Sequence, residues 1–280
     1  MKKKSVFLTV FLLIFLLYSS AGAVTVSPFD SASNMAQNLL GSGITITDSS
    51  YTGASGASGY FTNGFASGLE MDQGILLTSG LASNVDGLSN TTGAISTNNG
   101  TSGSSLLNAL IPGYSTNDAA ILSIDFTTEG NAAYFNYFFG SEEYNEWVGS
   151  SFNDVFGFFM NDVNYALIPG TSTPVSINNI NNGANSGYYN DNSNGVYPFE
   201  YDGFTDMFTA SFTDLVPGEV YNIKLAIADA GDYALDSGVF LQGGSFSDEP
   251  GNPVPEPSTF ALLGISLLGA AFISRKKLMN

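Results

Sequence analysis

Residues 220–227 read Val220-Tyr221-Asn222-Ile223-Lys224-Leu225-Ala226-Ile227, and residues 121–126 read Ile121-Leu122-Ser123-Ile124-Asp125-Phe126. In both stretches apolar and polar residues alternate, as in a strand with one buried face. Similar short runs, separated by clusters of Gly, Asn, Ser and Asp, predict strands at residues 44–47, 75–78, 120–126, 133–139, 155–160, 207–212, 220–228 and 238–246. Many short strands with few helices favour an all-β fold, namely a two-sheet, jelly-roll-like β-sandwich.

Two short helices are predicted, at residues 31–40 with Ser31 or Ser33 as the N-cap and at residues 104–110. Two connections, residues 82–105 and 176–198, are long and rich in Asn, Gly, Ser, Thr and Tyr. Loops of this length are typically functional or disordered. Tyr188, Tyr189 and Tyr197 in the second loop are candidates for stacking against sugars, and the alternative is that their rings cover a sheet edge or the core.

The composition excludes several kinds of chemistry. The 280 residues include no histidine and no cysteine. This rules out Ser-His-Asp and Cys-His nucleophiles, thiol redox chemistry, and zinc or haem sites built on imidazole or thiolate. It also rules out disulfides, so the fold depends on core packing and on any hard metal ion that the chain binds.

Charge is distributed unevenly along the chain. The sequence has 7 basic and 25 acidic residues, and Lys224 is the only basic residue between positions 5 and 274. Because phosphate binding depends on Lys and Arg, nucleic acid is not expected as a partner. Divalent cations are the natural partners of such an acidic body.

The N-terminal segment has the layout of a secretory signal peptide. Three lysines precede an apolar run at residues 6–18, and Ala21 and Ala23 supply the small residues of a cleavage site. We therefore predict a signal peptide at residues 1–23, cut after Ala23 by signal peptidase. The alternative is an uncut membrane anchor, but the apolar run is short for a span.

The C-terminal segment, residues 250–280, contains Pro255, Glu256 and Pro257, an apolar stretch at residues 259–273 and the basic group Arg275-Lys276-Lys277. As a helix, the apolar stretch would cover roughly 22 Å of a hydrocarbon core of about 30 Å. This end resembles the PEP-CTERM sorting signal, which has a Pro-Glu-Pro motif, a short transmembrane helix and a basic tail. The resemblance implies transient insertion in the inner membrane and recognition by an exosortase, in a Gram-negative bacterium that makes extracellular polysaccharide. An ordinary tail anchor is the alternative.

Two acidic groups are the candidate metal ligands. In the first group, Glu142, Glu143 and Glu146 follow one predicted strand, and Asn153-Asp154 opens the next. The second group, Asp229, Asp232 and Asp236, follows the predicted strand at residues 220–228. Carboxylates at strand ends beside apolar runs need neutralisation, and Ca²⁺ takes six to eight oxygen ligands. The alternative is that these residues form turns and caps on a solvated rim. Glu142, Glu143, Asp154 and Asp229 are the first choices as calcium ligands, followed by Glu146, Asn153, Asp232 and Asp236.

The acidic segments also carry a family resemblance. The runs FGSEEYNEWVGSSFNDVFGFFM at residues 139–160 and IADAGDYALDSGVFL at residues 227–241 resemble the choice-of-anchor L domain family, as does the glycine-bounded strand at residues 74–80. The resemblance covers residues 26–246, within a predicted domain at residues 24–249. Trp147 departs from the Tyr or Phe expected there. The resemblance implies an extracellular surface or matrix protein and supplies no settled enzymatic activity.

The function expected from the sequence is that of an exported, exosortase-sorted bacterial surface or extracellular-matrix protein. Its domain is expected to be calcium-stabilised, adhesive or associated with polysaccharide, and non-catalytic. The alternative is a secreted glycoside hydrolase or carbohydrate-binding module that uses Glu142, Glu143 and Glu146. Adjacent residues of a strand point to opposite faces, which argues against Glu142 and Glu143 as a catalytic pair.

Overall fold

The computed structural model describes residues 22–29, 31–87 and 89–251. Two antiparallel sheets pack face to face in this part of the chain, which confirms the predicted β-sandwich. The predicted signal peptide, apart from residues 22 and 23, and the predicted transmembrane helix lie outside the described residues. No helix among the described residues is long and apolar enough to cross a membrane.

The larger sheet has eight strands in the described residues. They are β1 (Thr25–Pro28), β3 (Ser58–Thr62), β4 (Gly74–Thr78), β6 (Ala133–Ser141), β9 (Tyr189–Asp191), β10 (Gly203–Thr205), β11 (Phe208–Phe212) and β13 (Ser237–Gln242). Their spatial order is β1-β3-β4-β13-β6-β10-β9, and β11 also pairs with β6. The strand β6 therefore lies centrally, with β13 on one side and β10 and β11 on the other.

The smaller sheet has the order β2-β5-β12-β7-β8. Its strands are β2 (Ile44–Thr52), β5 (Thr116–Thr128), β7 (Val155–Met160), β8 (Val163–Asn164) and β12 (Tyr221–Ala230). The register of β12 against β5 shifts between Ile227 and Asp229, and the register of β2 against β5 shifts between Ile46 and Asp48. The first of these irregularities falls at a predicted calcium ligand.

Both predicted helices are present and shorter than predicted. They are α1 (Ala32–Leu39) and α2 (Ser105–Asn108). Ser31 caps α1, because its Oγ accepts a hydrogen bond from the Asn34 N–H at 3.4 Å. Met35, Ala36 and Leu39 on one side of α1 are buried in the main core, which explains why this segment is helical.

The main core lies between the sheets and is rich in aromatic rings. The centroids of Phe135 in β6 and Phe158 in β7 are 5.1 Å apart, and those of Tyr137 and Phe156 are also 5.1 Å apart. Each pair joins the larger sheet to the smaller one. Such contacts contribute about 0.5–1.5 kcal/mol per pair beyond the burial of area.

Both outer faces are partly covered. On the outer face of the larger sheet, the rings of Phe138 and Phe240 stack with their centroids 4.3 Å apart. They lie beneath loop residues such as Phe199 and Tyr201. On the smaller sheet, Leu107 of α2 packs against small residues of β12. The loops over the larger sheet therefore form a third layer, under which polar side chains of that face are buried.

Candidate metal centre

The two glutamates at the end of β6 point to opposite faces of the larger sheet. Phe139 lies in the core between the sheets, whereas Phe138 lies in the outer cluster. Glu142 and Glu143 directly follow Ser141, the last residue of β6, and the alternation continues into them, because Glu143 lies near Asp154 between the sheets whereas Glu142 lies near Asp202 on the outer face. In agreement, Glu142 Oε2 accepts a hydrogen bond from the Ile95 N–H of the covering loop at 3.3 Å. Both glutamates are only 1% exposed.

Glu143, Asp154 and Asp229 form what we call the inner centre, between the two sheets. Asp154 directly precedes β7 and Asp229 lies in β12, and both are 0% exposed. Asp154 Oδ1 accepts a hydrogen bond from the Ala230 N–H at 2.8 Å, and Asp154 Oδ2 accepts one from the Ser237 hydroxyl at 2.6 Å. Asp154 is thus fixed by two partners, one of them on the larger sheet.

The other two residues of the inner centre are not satisfied. Both carboxylate oxygens of Asp229, and Oε2 of Glu143, are buried and have no hydrogen-bond partner among the described residues. Lys224, the only basic residue of the body, pairs instead with Asp162 at 3.4 Å near the surface. A buried carboxylate without a partner is costly, so the inner centre needs either protons or a cation.

Electrostatics at the inner centre favour the protonated acids when no cation is present. Burial and then the charges of Asp154 and Asp232 raise the pKa of Glu143 to about 10. Burial raises the pKa of Asp154 to about 8, although its bonds from Ser237 and Ala230 lower it. Burial and then Asp154 also hold the pKa of Asp229 well above its usual range. The charge of Asp154 therefore opposes the ionisation of both Glu143 and Asp229.

No group of three or more acidic side chains in the described residues is arranged as a ready metal-binding set. An ion at the inner centre would accordingly combine the unpaired oxygens of Asp229 and Glu143 with neutral oxygens. The Ser79 hydroxyl is one such group, because it lies close enough to Asp229 to lower the pKa of that carboxyl partly.

Glu142 and Asp236, also predicted as calcium ligands, belong to a separate row on the outer face. The registers pair Ser141 with Gly203 on one side and with Ser237 on the other. One residue further, Asp202 and Asp236 flank Glu142, and the Glu142 N–H donates to the Asp236 carbonyl at 3.1 Å. Cross-strand neighbours share a face, so these three carboxylates form what we call the outer row.

The remaining predicted ligands lie at the margin. Glu146 is exposed. Asn153 is buried, and its Oδ1 accepts a hydrogen bond from the Asn178 N–H at 2.8 Å. Asp232 is half-buried and accepts a hydrogen bond from the Ala234 N–H at 3.2 Å. Of these three, Asp232 is the one whose charge raises the pKa of Glu143.

The three tyrosines proposed for sugar stacking each pack against a different aromatic ring. Tyr188 packs edge-on against Phe208 with centroids 5.5 Å apart, and Tyr189 packs against Tyr144 at 4.8 Å. Tyr197 packs edge-on against Phe204 at 4.8 Å and also lines a surface cavity. Tyr197 is therefore the candidate for sugar stacking that has a cavity described beside it.

Sequence reasoning missed Asp202, Glu200 and Asp118, which are all buried acidic residues. Asp202 joins the outer row, and the other two hold the covering loop. The one available signal was the alternation of aromatic and acidic residues in Phe199-Glu200-Tyr201-Asp202. Ala21 and the sorting motif Pro255, Glu256 and Pro257 lie outside the described residues, whereas Ala23 is described and half-buried.

Comparison with known proteins supports both the domain and the C-terminal sorting signal that the sequence predicts. No curated protein and no solved structure is found to be similar to the chain. Residues 253–277 match the model of the PEP-CTERM protein-sorting motif, which is the signal of exported proteins sorted by an exosortase. Residues 25–247, which span both sheets and both acidic groups, match the model of the choice-of-anchor L domain. The chain therefore belongs to the choice-of-anchor L domain family.

Proposed function

We propose that this protein is a non-catalytic bacterial surface or matrix protein whose sandwich domain is stabilised by calcium and associates with extracellular polysaccharide. The sorting motif supports delivery to the outside of the cell. The observation that carries the calcium assignment is the pair of buried, unpaired oxygens of Asp229 beside Asp154, whose charge also acts on Glu143. A divalent cation there relieves both the desolvation and the mutual repulsion of the carboxylates.

Calcium suits this centre better than other common ions. The chain offers neither imidazole nor thiolate, so ions that prefer nitrogen or sulfur ligands are disfavoured. Magnesium demands near-ideal octahedral geometry, whereas calcium accepts irregular sets of carboxylate, hydroxyl, backbone and water oxygens. Asp229 and Glu143 supply the anionic oxygens, and the Ser79 hydroxyl and water complete the set.

Thermal unfolding of the purified protein at pH 8, with calcium chloride or with EGTA, tests the calcium assignment. A ligand bound only by the folded state stabilises it by about 2.7 kcal/mol at one hundred times Kd. The increment should disappear in Asp229→Asn and Glu143→Gln, which keep side-chain shape while removing the charge. Glu129→Gln, at an exposed position, is the matched control and should keep it.

The same variants distinguish a calcium centre from carboxyls that are merely protonated. In EGTA, Asp229→Asn should melt at or above the wild type, because a neutral amide replaces a carboxylate that must be desolvated. If the wild type melts at the same temperature with calcium and with EGTA, the calcium assignment is wrong.

Burial of the candidate catalytic carboxyls supports a non-catalytic role. Glu142 and Glu143 are each 1% exposed and point to opposite faces, and five surface cavities in the described residues are lined by other side chains. A glycoside hydrolase needs two carboxyls about 5–9.5 Å apart across a cleft that the sugar can enter. Glu146 is exposed but has neither glutamate as an accessible partner.

Polysaccharide association is proposed at the cavity beside Tyr197. The same cavity is lined by Glu70, Asn190 and Asp206. An aromatic ring next to carboxylate and amide groups can stack on a sugar and hydrogen-bond its hydroxyls. The Asn190 amide donates to Asp206 Oδ1 at 2.8 Å, so these two polar groups are already oriented.

A glycan array, followed by co-sedimentation with the polysaccharide identified, tests this surface. Tyr197→Ala should lose the signal, whereas Tyr114→Ala, at a tyrosine that is 40% exposed elsewhere, should retain it. If Tyr188→Ala and Tyr189→Ala abolish binding in folded protein while Tyr197→Ala does not, the binding surface is elsewhere.

A further inference from the structure

The cavity beside Tyr197 lies on the outer face of the larger sheet. Phe138 of β6, whose ring points to that face, lines it together with Phe204, and its volume is about 220 Å³. Pockets for drug-sized molecules have volumes of roughly 300–1,000 Å³. The size of this cavity therefore suits one sugar unit of a chain that runs across the surface.

The Tyr197 ring lies between two segments of the chain that each carry a carboxylate. A Cβ built at Gly68, two residues before Glu70, would lie 3.4 Å from Tyr197 Cδ1. On the other side, the ring packs edge-on against Phe204, two residues before Asp206, with centroids 4.8 Å apart. Glu70 and Asp206 both line the cavity. Stacking on the ring would accordingly bring a sugar next to both carboxylates.

Each of these carboxylates is oriented through one oxygen. Glu70 Oε2 accepts a hydrogen bond from the Met207 N–H at 2.8 Å, and Asp206 Oδ1 accepts one from the Asn190 amide at 2.8 Å. The second oxygens, Glu70 Oε1 and Asp206 Oδ2, accept no hydrogen bond from the described residues. Each side chain therefore keeps one acceptor for a ligand while the protein holds the other.

No basic side chain lines this cavity. The sequence has 25 acidic residues, and Lys224, the only basic residue between positions 5 and 274, lies on the smaller sheet, where it pairs with Asp162. The field of such a body repels an anionic polymer, for example one of uronic acids, and attracts a cationic one. Charge thus selects among the polysaccharides that the cavity could accept.

We propose that the polysaccharide bound beside Tyr197 carries free amino groups, as in a polymer of glucosamine whose amines are not acetylated. This inference rests on the proposed function, because it names the chemical class of the glycan that associates with this surface. The Tyr197 ring stacks on the apolar face of the sugar, and ammonium groups of the polymer donate to the unused oxygens of Glu70 and Asp206. An ammonium group offers three donors and no acceptor, which matches a site whose side-chain oxygens are acceptors.

Acetylation removes the feature that the carboxylates recognise. An acetylated amine is neutral, offers one N–H, and adds a carbonyl oxygen that finds another acceptor at each carboxylate. Hydrogen bonds between ionised groups are about twice as strong as those between neutral groups. The cavity should therefore prefer the free amine to its acetylated form and to a neutral sugar.

Isothermal titration calorimetry of the full-length chain at pH 6 tests this preference. The probes are a glucosamine hexamer, the N-acetylglucosamine hexamer and a tetralysine peptide, which supplies amines without a sugar ring. The glucosamine hexamer should bind tighter than either of the others by roughly tenfold, the value of one charge-assisted hydrogen bond.

Charge-neutralising variants show whether the named carboxylates supply the preference. Glu70→Gln and Asp206→Asn should each weaken binding of the glucosamine hexamer by roughly tenfold and leave the acetylated hexamer unchanged. The new amides keep an oxygen that can accept the bond from Met207 or Asn190. Glu129→Gln, which makes the same change of charge at an exposed position, is the matched control and should bind as the wild type does. Circular dichroism checks that each variant is folded.

The outcomes separate the amine preference from polysaccharide association itself. Equal affinity for the two hexamers, lost in Tyr197→Ala, overturns the amine preference and leaves the glycan surface. Tetralysine that binds as tightly as the glucosamine hexamer overturns recognition of a sugar. Equal weakening in Glu70→Gln, Asp206→Asn and Glu129→Gln means general attraction to an acidic protein and overturns the site. Failure to bind either hexamer overturns this inference alone if another glycan gives a signal that depends on Tyr197, and overturns both proposals if no glycan does.

Discussion

The Ser237 hydroxyl donates a 2.6 Å hydrogen bond to Asp154 Oδ2, and this contact joins the first residue of β13 to the residue that precedes β7. It therefore links the larger sheet to the smaller one at the acidic end of the sandwich. Ser237 also shares a 2.8 Å hydrogen bond with the Ser141 hydroxyl of β6. One side chain thus connects three strands and holds one carboxylate of the inner centre in place.

Replacing this serine should destabilise the fold measurably. Ser237→Ala leaves Asp154 Oδ2 buried without its hydrogen-bond donor. Leaving a buried polar group unsatisfied in this way costs about 1–3 kcal/mol of folding stability. Urea unfolding with EGTA at pH 7 measures the loss. Ser211→Ala, at an exposed position of β11, is the control and should stay within about 0.5 kcal/mol of the wild type. Equal losses in the two variants would refute the linking role of Ser237.

Stability of the calcium-free protein should fall as pH rises. A carboxyl whose folded pKa lies above its unfolded value, about 4, binds protons more tightly when folded. Its contribution is therefore complete below the unfolded pKa and is lost as pH rises through the folded one. The folded values are about 8 for Asp154, about 9 for Glu142 and about 10 for Glu143. The melting temperature of metal-free protein should accordingly drop between pH 5 and pH 9.

Calcium should act in the opposite direction, because its carboxylate ligands must be ionised. The increment in melting temperature from saturating calcium should be small at pH 5 and large at pH 9. Melting curves at pH 5, 7 and 9, each with metal-free protein and with calcium, measure both trends. An increment that shrinks as pH rises would contradict competition between protons and calcium for the same oxygens.

The strands that the sequence predicts best are those with one fully apolar face. The strand β7 has the predicted bounds, and β5 and β6 extend beyond the predicted ranges, whereas β12 begins one residue later and ends two residues later than predicted. Each of these strands places large side chains in the main core. The predicted strand at residues 238–246 ends earlier, at Gln242. Gly244 adopts a positive φ of 71°, and the chain turns there.

Strands β1, β3, β8, β9 and β10 lie outside the predicted strands. They are short, so what defines them is pairing with β4, β6, β7 and one another. This pairing is a property of the assembled sheet, which periodicity within one segment does not reveal.

The candidate site was predictable in its residue types and only partly in its arrangement. The sequence grouped Glu142, Glu143, Asp154 and Asp229 as first-choice calcium ligands, whereas the structure places Glu142 on the outer face, away from the other three. The alternation of side chains along a strand did indicate that Glu142 and Glu143 would face opposite ways. The sequence did not reveal Asp202, because the register of β10 with β6, rather than any spacing along the chain, brings that residue beside Glu142. Other acidic residues that stand apart from the two acidic groups in the sequence were likewise assigned to no site, because spacing along the chain does not show which side chains the strand register brings beside them.

Gly80 should be essential to the outer row. A Cβ at this position would overlap the Asp236 carboxylate, so Gly80→Ala must displace either Asp236 or the chain that follows β4. Overpacking of this kind costs about 1–3 kcal/mol, and loss of the Asp236 contact to the Thr97 N–H should also speed exchange of that amide. Gly187→Ala is the matched control, because a Cβ there meets no atom within 4 Å. Urea unfolding and amide exchange of both variants measure the two effects. A Gly80→Ala protein as stable as Gly187→Ala, with the Thr97 amide equally protected, would mean that Asp236 does not hold the loop.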